Sequence, residues 1–151
     1  NGNVLLGAQT TQFEKAFALF AGTQYGVAVS SGAAALQLSL AALGIGEGDE
    51  VIVPAMTAVP TASAVCAVGA RPIIVDVEEE TATIDLDLVE AAMTERTRAV
   101  IAVHLYGRPV ANLDRLMNLG VTVIEDCAQS HGATRGLSGS IGAYSFYPTK
   151  S

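Results

Sequence analysis

The sequence has no apolar run approaching the ~18 residues that a membrane-spanning helix needs, so a membrane is not an expected partner. It has no basic cluster, and its net charge is −7, so nucleic acid is not expected either. Cysteine is scarce. Cys66 and Cys127 form neither a C-x-x-C pair nor a metal-ligand spacing, and they read as two buried thiols of a cytoplasmic protein with no metal. There is no signal peptide and no lipidation motif. The chain opens on Asn1-Gly2-Asn3-Val4 without a methionine, as a processed chain or a cloned fragment would. Internal repeats, low-complexity tracts and linkers are also missing. Charged residues make up only 15% of the 151, and half are hydrophobic, which excludes a disordered tail and suits one domain with a real core. The mean hydropathy of +0.42 predicts apolar surface covered by a partner subunit or a further domain.

What is present is an alternation of short β-branched runs and helical stretches. Phe13, Phe17 and Phe20 recur at helical spacing over residues 10–21, with Gly22 as the stop. Val27-Ala28-Val29 reads as a short strand turning through Ser30-Ser31-Gly32 into a helix over 33–43. Strands are predicted at 50–53, 71–77, 99–105, 121–126 and 143–146. Helices are predicted at 57–68, 85–93 and 112–119, with Pro60 in a first turn and Asp85 as an N-cap. The pattern predicts an α/β fold: a mostly parallel sheet between two helical layers. The runs Ile73-Ile74-Val75 and Ala99 to Val103 are continuous and apolar, as strands covered on both faces are. Ligands of such sheets bind beyond the carboxyl ends of the strands.

Several residues with chemistry fall at those ends. The Ser30-Ser31-Gly32 turn into a helix aims free N–H groups at one point, a setting for phosphate, and Gly32 permits close approach. Taken alone, Ser31 acting as a plain helix cap is the simpler reading. Asp126 ends an apolar strand, where a carboxylate is costly without a cation or donors; a protonated pyridine nitrogen is one such partner. Capping of the next segment is an equal alternative. Gln129 lies three residues on and can face the same ligand, whereas His131 reads as a structural hydrogen-bonding residue. Lys150 carries an amine that could form a Schiff base with an aldehyde and then serve as a general base. Ser145, five residues earlier, offers a hydroxyl. An amine, a carboxylate and a phosphate-sized turn together suggest pyridoxal phosphate.

These segments resemble a known family. The runs Glu125-Asp126-Cys127-Ala128-Gln129-Ser130-His131-Gly132-Ala133 and Ser145-Phe146-Tyr147-Pro148-Thr149-Lys150 are similar to the two signature segments of the DegT/DnrJ/EryC1/StrS sugar aminotransferases. So are Val29 to Leu36, Gly48 to Pro54 and Val103-His104-Leu105-Tyr106-Gly107. The resemblance runs from about Gly7 to Ser151. It implies a fold type I enzyme dependent on pyridoxal phosphate. Lys150 would be the Schiff-base lysine, Asp126 would pair with the pyridine nitrogen, and Gln129 would contact the ring or its hydroxyl. Ser145 and the Gly32–Ala33 backbone would hold the phosphate. Such enzymes move an amino group, commonly from glutamate, to a nucleotide-linked keto sugar, and they work as homodimers.

The chain departs from the family at Ala33, where threonine is common, and at Ala58, where many members have an aromatic ring. The stretch Thr134 to Gly139 is shorter than the family loop. Relatives of this kind run to more than twice 151 residues. Residues 1–151 are therefore expected to be part of the large cofactor-binding domain, with the small domain outside it. A non-catalytic piece that folds and oligomerises is the alternative.

Overall fold

The computed structural model describes residues 7–133 and 137–150. Along them run α1 Ala8–Ala21, α2 Gly32–Ala42, β1 Glu50–Pro54, α3 Val59–Ala67 and β2 Arg71–Val75. The second half carries α4 Leu86–Ala92, β3 Thr97–Val103, a 3-10 turn at Leu105–Gly107, α5 Asp114–Asn118, β4 Thr122–Asp126 and β5 Ile141–Ala143. Local chemistry sets the ends of these elements. Gly22 closes α1 at φ 69°, in the left-handed region that glycine enters without a Cβ clash. Ser31 caps α2, its Oγ accepting from the Ala34 amide at 3.1 Å. Asp85 caps α4, accepting from the Asp87 and Leu88 amides. Pro60 lies in the first turn of α3, where its missing N–H leaves no bond unmade, and the helix starts at Val59 rather than Thr57.

The strands form one parallel sheet in the order β2-β1-β3-β4-β5. Its core has two sides. Ala99, Ile101 and Val103 of β3 pack with Leu36 and Leu40 of α2 and Val65 of α3. Val100 and Ala102 pack on the other face with Val89 of α4 and Leu116 of α5. Successive β3 residues therefore serve opposite cores, which is why the run is apolar without alternation. Each buried valine, leucine or isoleucine among them contributes about 1.5–3 kcal/mol. The expected three-layer α/β/α arrangement is the one found. Among the described residues no helix is long and apolar enough to cross a membrane.

Three sequence expectations are corrected. Val27–Val29 is extended but not a strand: among the described residues its backbone has no ladder partner, and the Ala28 amide donates to Glu14 Oε1 instead. The run Ile73–Val75 is not covered on both faces. It belongs to β2 at the sheet edge, and Ile74 is 64% exposed. The last strand ends at Ala143, so Ser145 lies in the loop beyond it.

The strand order positions the site. From β1 the chain passes through α3 to β2 on one side, then returns through α4 to β3 on the other side of β1. Such a reversal leaves a crevice beyond the carboxyl ends of the two strands. All strands are parallel, so the segments after Pro54, Val103, Asp126 and Ala143 emerge at that same edge.

Candidate active site

Asp126 is the last residue of β4 and is 8% exposed. Its Oδ1 accepts from the Ala128 amide at 3.1 Å and its Oδ2 from Thr61 Oγ1 at 3.3 Å. Burial pushes its carboxyl above the ordinary range. The Ala128 amide, the Thr61 hydroxyl and the positive charge of Lys150 oppose that rise. Thr61 is fully buried in α3, and its Oγ1 lies 2.7 Å from Thr57 Oγ1. Sequence reasoning missed both threonines, because a threonine in a helix of small residues carries no signal of its own.

Gln129 is half-buried, and its Oε1 accepts from the Tyr106 amide at 2.7 Å. Tyr106 reaches that position with φ 54°, an unusual value for a residue with a Cβ. The carbonyl end of the Gln129 amide is thus occupied, leaving its NH₂ end to donate.

The start of α2 meets the segment after β5. A Cβ on Gly32 would lie 3.1 Å from Ser145 Cβ and 3.4 Å from the Tyr144 carbonyl oxygen, so glycine is what allows this approach. Ser31 does act as the cap, but it uses the Ala34 amide with its side chain and the Ala35 amide with its carbonyl. The Gly32 and Ala33 amides have no hydrogen-bond partner among the described residues. Two free donors therefore point out of the helix beside Ser145. The Ser145 Oγ makes one long contact, accepting from the Tyr147 amide at 3.4 Å.

Lys150 is half-buried, its backbone held by a turn in which its amide donates to the Tyr147 carbonyl at 2.8 Å. Its charge acts on Asp126 and on His131. Among the described residues no ion pair or hydrogen bond joins its side chain to Asp126. The edge thus brings Asp126 within the field of Lys150, and Gly32 against Ser145; Gln129 is tied to the turn after β3.

His131 is not the hydrogen-bonding residue expected. Neither ring nitrogen finds a partner among the described residues. The ring packs instead at 5.5 Å from Tyr144 and 5.3 Å from Phe146, and burial lowers its pKa. Cys66 is exposed, against expectation, while Cys127 is buried and its thiol is pushed up to about 12 by that burial. His104, Glu125 and Cys127 offer ligand atoms within 4.8 Å of one another. Both His104 nitrogens are already hydrogen-bonded, to Glu125 Oε2 and the Val110 amide, and the thiol is neutral. Of the short loop Thr134 to Gly139, residues 134–136 lie outside the described residues. A trough of about 840 Å³ is lined by Val27, Val29, Leu38 and Ile141 and reaches Gly32 and Ser145, but not Asp126 or Lys150. Its lining is mostly apolar and omits Asp126 and Lys150, so the polar groups beyond the strand ends mark the site better than this cavity does.

Comparison with known proteins supplies the family. Residues 1–151 match the DegT/DnrJ/EryC1/StrS aminotransferase family. A dTDP-3-amino-3,4,6-trideoxy-alpha-D-glucose transaminase from Streptomyces venezuelae is 47% identical over 159 aligned residues, covering 99% of this chain and 42% of the relative. The solved structure of S. venezuelae DesV, in complex with a ketimine intermediate, superposes with a TM-score of 0.91 at 48% identity, covering 97% of this chain and 42% of that one. The structure of NtdA from Bacillus subtilis with bound cofactor PMP gives a TM-score of 0.80 at 39% identity, covering 83% of this chain and 30% of that one. The chain spans less than half the length of these relatives. On the fold, the motifs and this match, the chain belongs to the DegT/DnrJ/EryC1/StrS aminotransferase family.

Proposed function

We propose that this chain is the cofactor-holding part of a cytoplasmic aminotransferase dependent on pyridoxal phosphate. The enzyme moves an amino group from an amino acid such as glutamate to a nucleotide-linked keto sugar. Residues 1–151 are then part of its large domain, with the small domain outside them. The observation that carries the reading is Asp126, a buried carboxylate at a strand end, held by two donors and within the field of Lys150. A carboxylate so placed suits a cationic ring nitrogen, because the charge-assisted bond offsets the cost of burying it.

The other residues fit the same group. The free amides of Gly32 and Ala33, beside Ser145, suit a phosphate at a helix start. The NH₂ end of Gln129, without a hydrogen-bond partner among the described residues, suits a ring hydroxyl. When bound, pyridoxal phosphate supplies an electron-poor ring that makes amino transfer feasible. Lys150 Nζ would hold it covalently and, once released, take a proton from the substrate's α-carbon. The test is a half-reaction. Glutamate added to the protein loaded with pyridoxal phosphate should convert its visible band to that of the pyridoxamine form; no conversion counts against transamination.

Exposed apolar side chains favour a second reading. Leu19 is 83% exposed, Val59 81% and Val27 79%, and such surface seeks cover from another subunit. A homodimer fits the first reading, and an oligomer without turnover is the alternative. Sedimentation with and without pyridoxal phosphate separates them: a stable oligomer with no cofactor affinity supports the second.

A further inference from the structure

The Asp126 carboxylate accepts a hydrogen bond from a residue 65 positions earlier in the chain. Thr61 Oγ1 carries one hydrogen. It is fully buried and lies 3.3 Å from Asp126 Oδ2. The same oxygen lies 2.7 Å from Thr57 Oγ1, and either hydroxyl could donate there. An ionised Asp126 only accepts, so the Thr61 hydrogen goes to Oδ2, and Thr57 must donate to Thr61. The result is a directed chain, Thr57 to Thr61 to Asp126. The Ala128 amide meanwhile fixes Oδ1. The two contacts come from different elements, α3 and the turn after β4, so together they fix the plane of the carboxylate.

We propose that Thr61 is a positioning residue for Asp126, holding its carboxylate in one orientation, with Thr57 fixing the direction of the Thr61 hydroxyl. The inference rests on the reading of Asp126 as the partner of the cofactor's ring nitrogen. A buried carboxylate without such donors takes up a proton and loses the charge that a cationic ring requires. Among the groups acting on Asp126, Lys150 favours its charged form through space, and Thr61 does so by direct contact. Valine at position 61 keeps the shape and removes the donor; serine keeps the donor.

The experiment compares Thr61→Val, Thr61→Ser, Thr57→Ala and Asp126→Asn in the 151-residue chain. Two quantities are read: the dissociation constant for pyridoxal phosphate from its visible band, and the titration midpoint of Asp126 in the cofactor-free chain from its carboxyl ¹³C shift. Thr61→Val should weaken binding about tenfold, the effect of one hydrogen bond to a charged group, and move the Asp126 midpoint up by about one unit. Thr61→Ser should stay within about twofold of the parent, and Thr57→Ala should fall between. If Asp126→Asn weakens binding while Thr61→Val changes neither quantity, the role of Thr61 is overturned and the cofactor reading stands. If Asp126→Asn leaves binding unchanged, the cofactor reading itself falls. Should Thr61→Val fail to fold, by circular dichroism, Thr57→Ala decides, since an unmoved Asp126 midpoint there contradicts the directed chain.

Discussion

His104 Nε2 lies 2.7 Å from Glu125 Oε2, and both side chains are 1% exposed. The Val110 amide donates to His104 Nδ1 at 3.0 Å, so the ring hydrogen sits on Nε2 and points at the carboxylate. The second oxygen of Glu125 accepts from the Gly139 amide. One buried pair therefore ties the end of β3, the end of β4 and the loop before β5 together, immediately beside Asp126.

Breaking that pair should be costly and dependent on pH. His104→Ala is expected to lower the unfolding free energy by about 2–3 kcal/mol, as loss of a hydrogen bond to a buried charged group does, measured by urea denaturation. Burial pushes the Glu125 carboxyl up, but the His104 and Gly139 bonds outweigh it and hold it below the ordinary 4.5. A carboxylate lowered in the fold adds stability above its unfolded value, and that contribution is lost as pH falls through the folded one. The stability gap between the parent and Glu125→Gln should be flat from about pH 6 to 8 and shrink as pH drops below about 4.5.

Gly32→Ala tests the phosphate end. The added Cβ forces Ser145 or Tyr144 to give by a few tenths of an ångström. The expected result is about a tenfold loss of pyridoxal phosphate affinity, with stability within about 1 kcal/mol of the parent. Unchanged affinity on titration would place the phosphate elsewhere.

Ala58 is exposed at the cap of α3, three residues before Thr61. A tyrosine there would offer a ring face to a planar ligand. Ala58→Tyr should strengthen pyridoxal phosphate binding by about 0.5–1.5 kcal/mol, read from the same titration. A weakened or unchanged constant would show that no ring stacks at this position.

The two cysteines should differ sharply toward a thiol reagent. Cys66 is exposed, whereas Cys127 is buried with its thiol pushed up to about 12. Near pH 8 one thiol per chain should react quickly, and the other only in denaturant. Fast reaction of both would mean that the end of β4 opens readily.

Much of the fold is legible in the residues because caps and periodicity are local. Gly22, Ser31, Asp85 and Pro60 mark helix ends by their own chemistry, and β3 announces its burial through five apolar residues in a row. The misreadings concern neighbours in space. Ile74 looks like a central-strand residue until the sheet order places β2 at the edge. Val27–Val29 has strand composition, but a strand needs a partner. Within the site, Asp126 stands out by residue type at a strand end, and Gln129, Ser145 and Lys150 in the segments that follow strands. Thr61 and the His104–Glu125 pair act through contacts across 65 and 21 positions, which no local pattern encodes.

The central claim is that the Lys150 amine carries the cofactor. Lys15 and Lys150 are the only lysines in the sequence, so one experiment reads it directly. The chain is mixed with pyridoxal phosphate, reduced with borohydride, digested and mapped by mass spectrometry. The account predicts the reduced cofactor on the peptide that contains Lys150 and none on Lys15. A label on Lys15 alone, or on neither lysine, would contradict it.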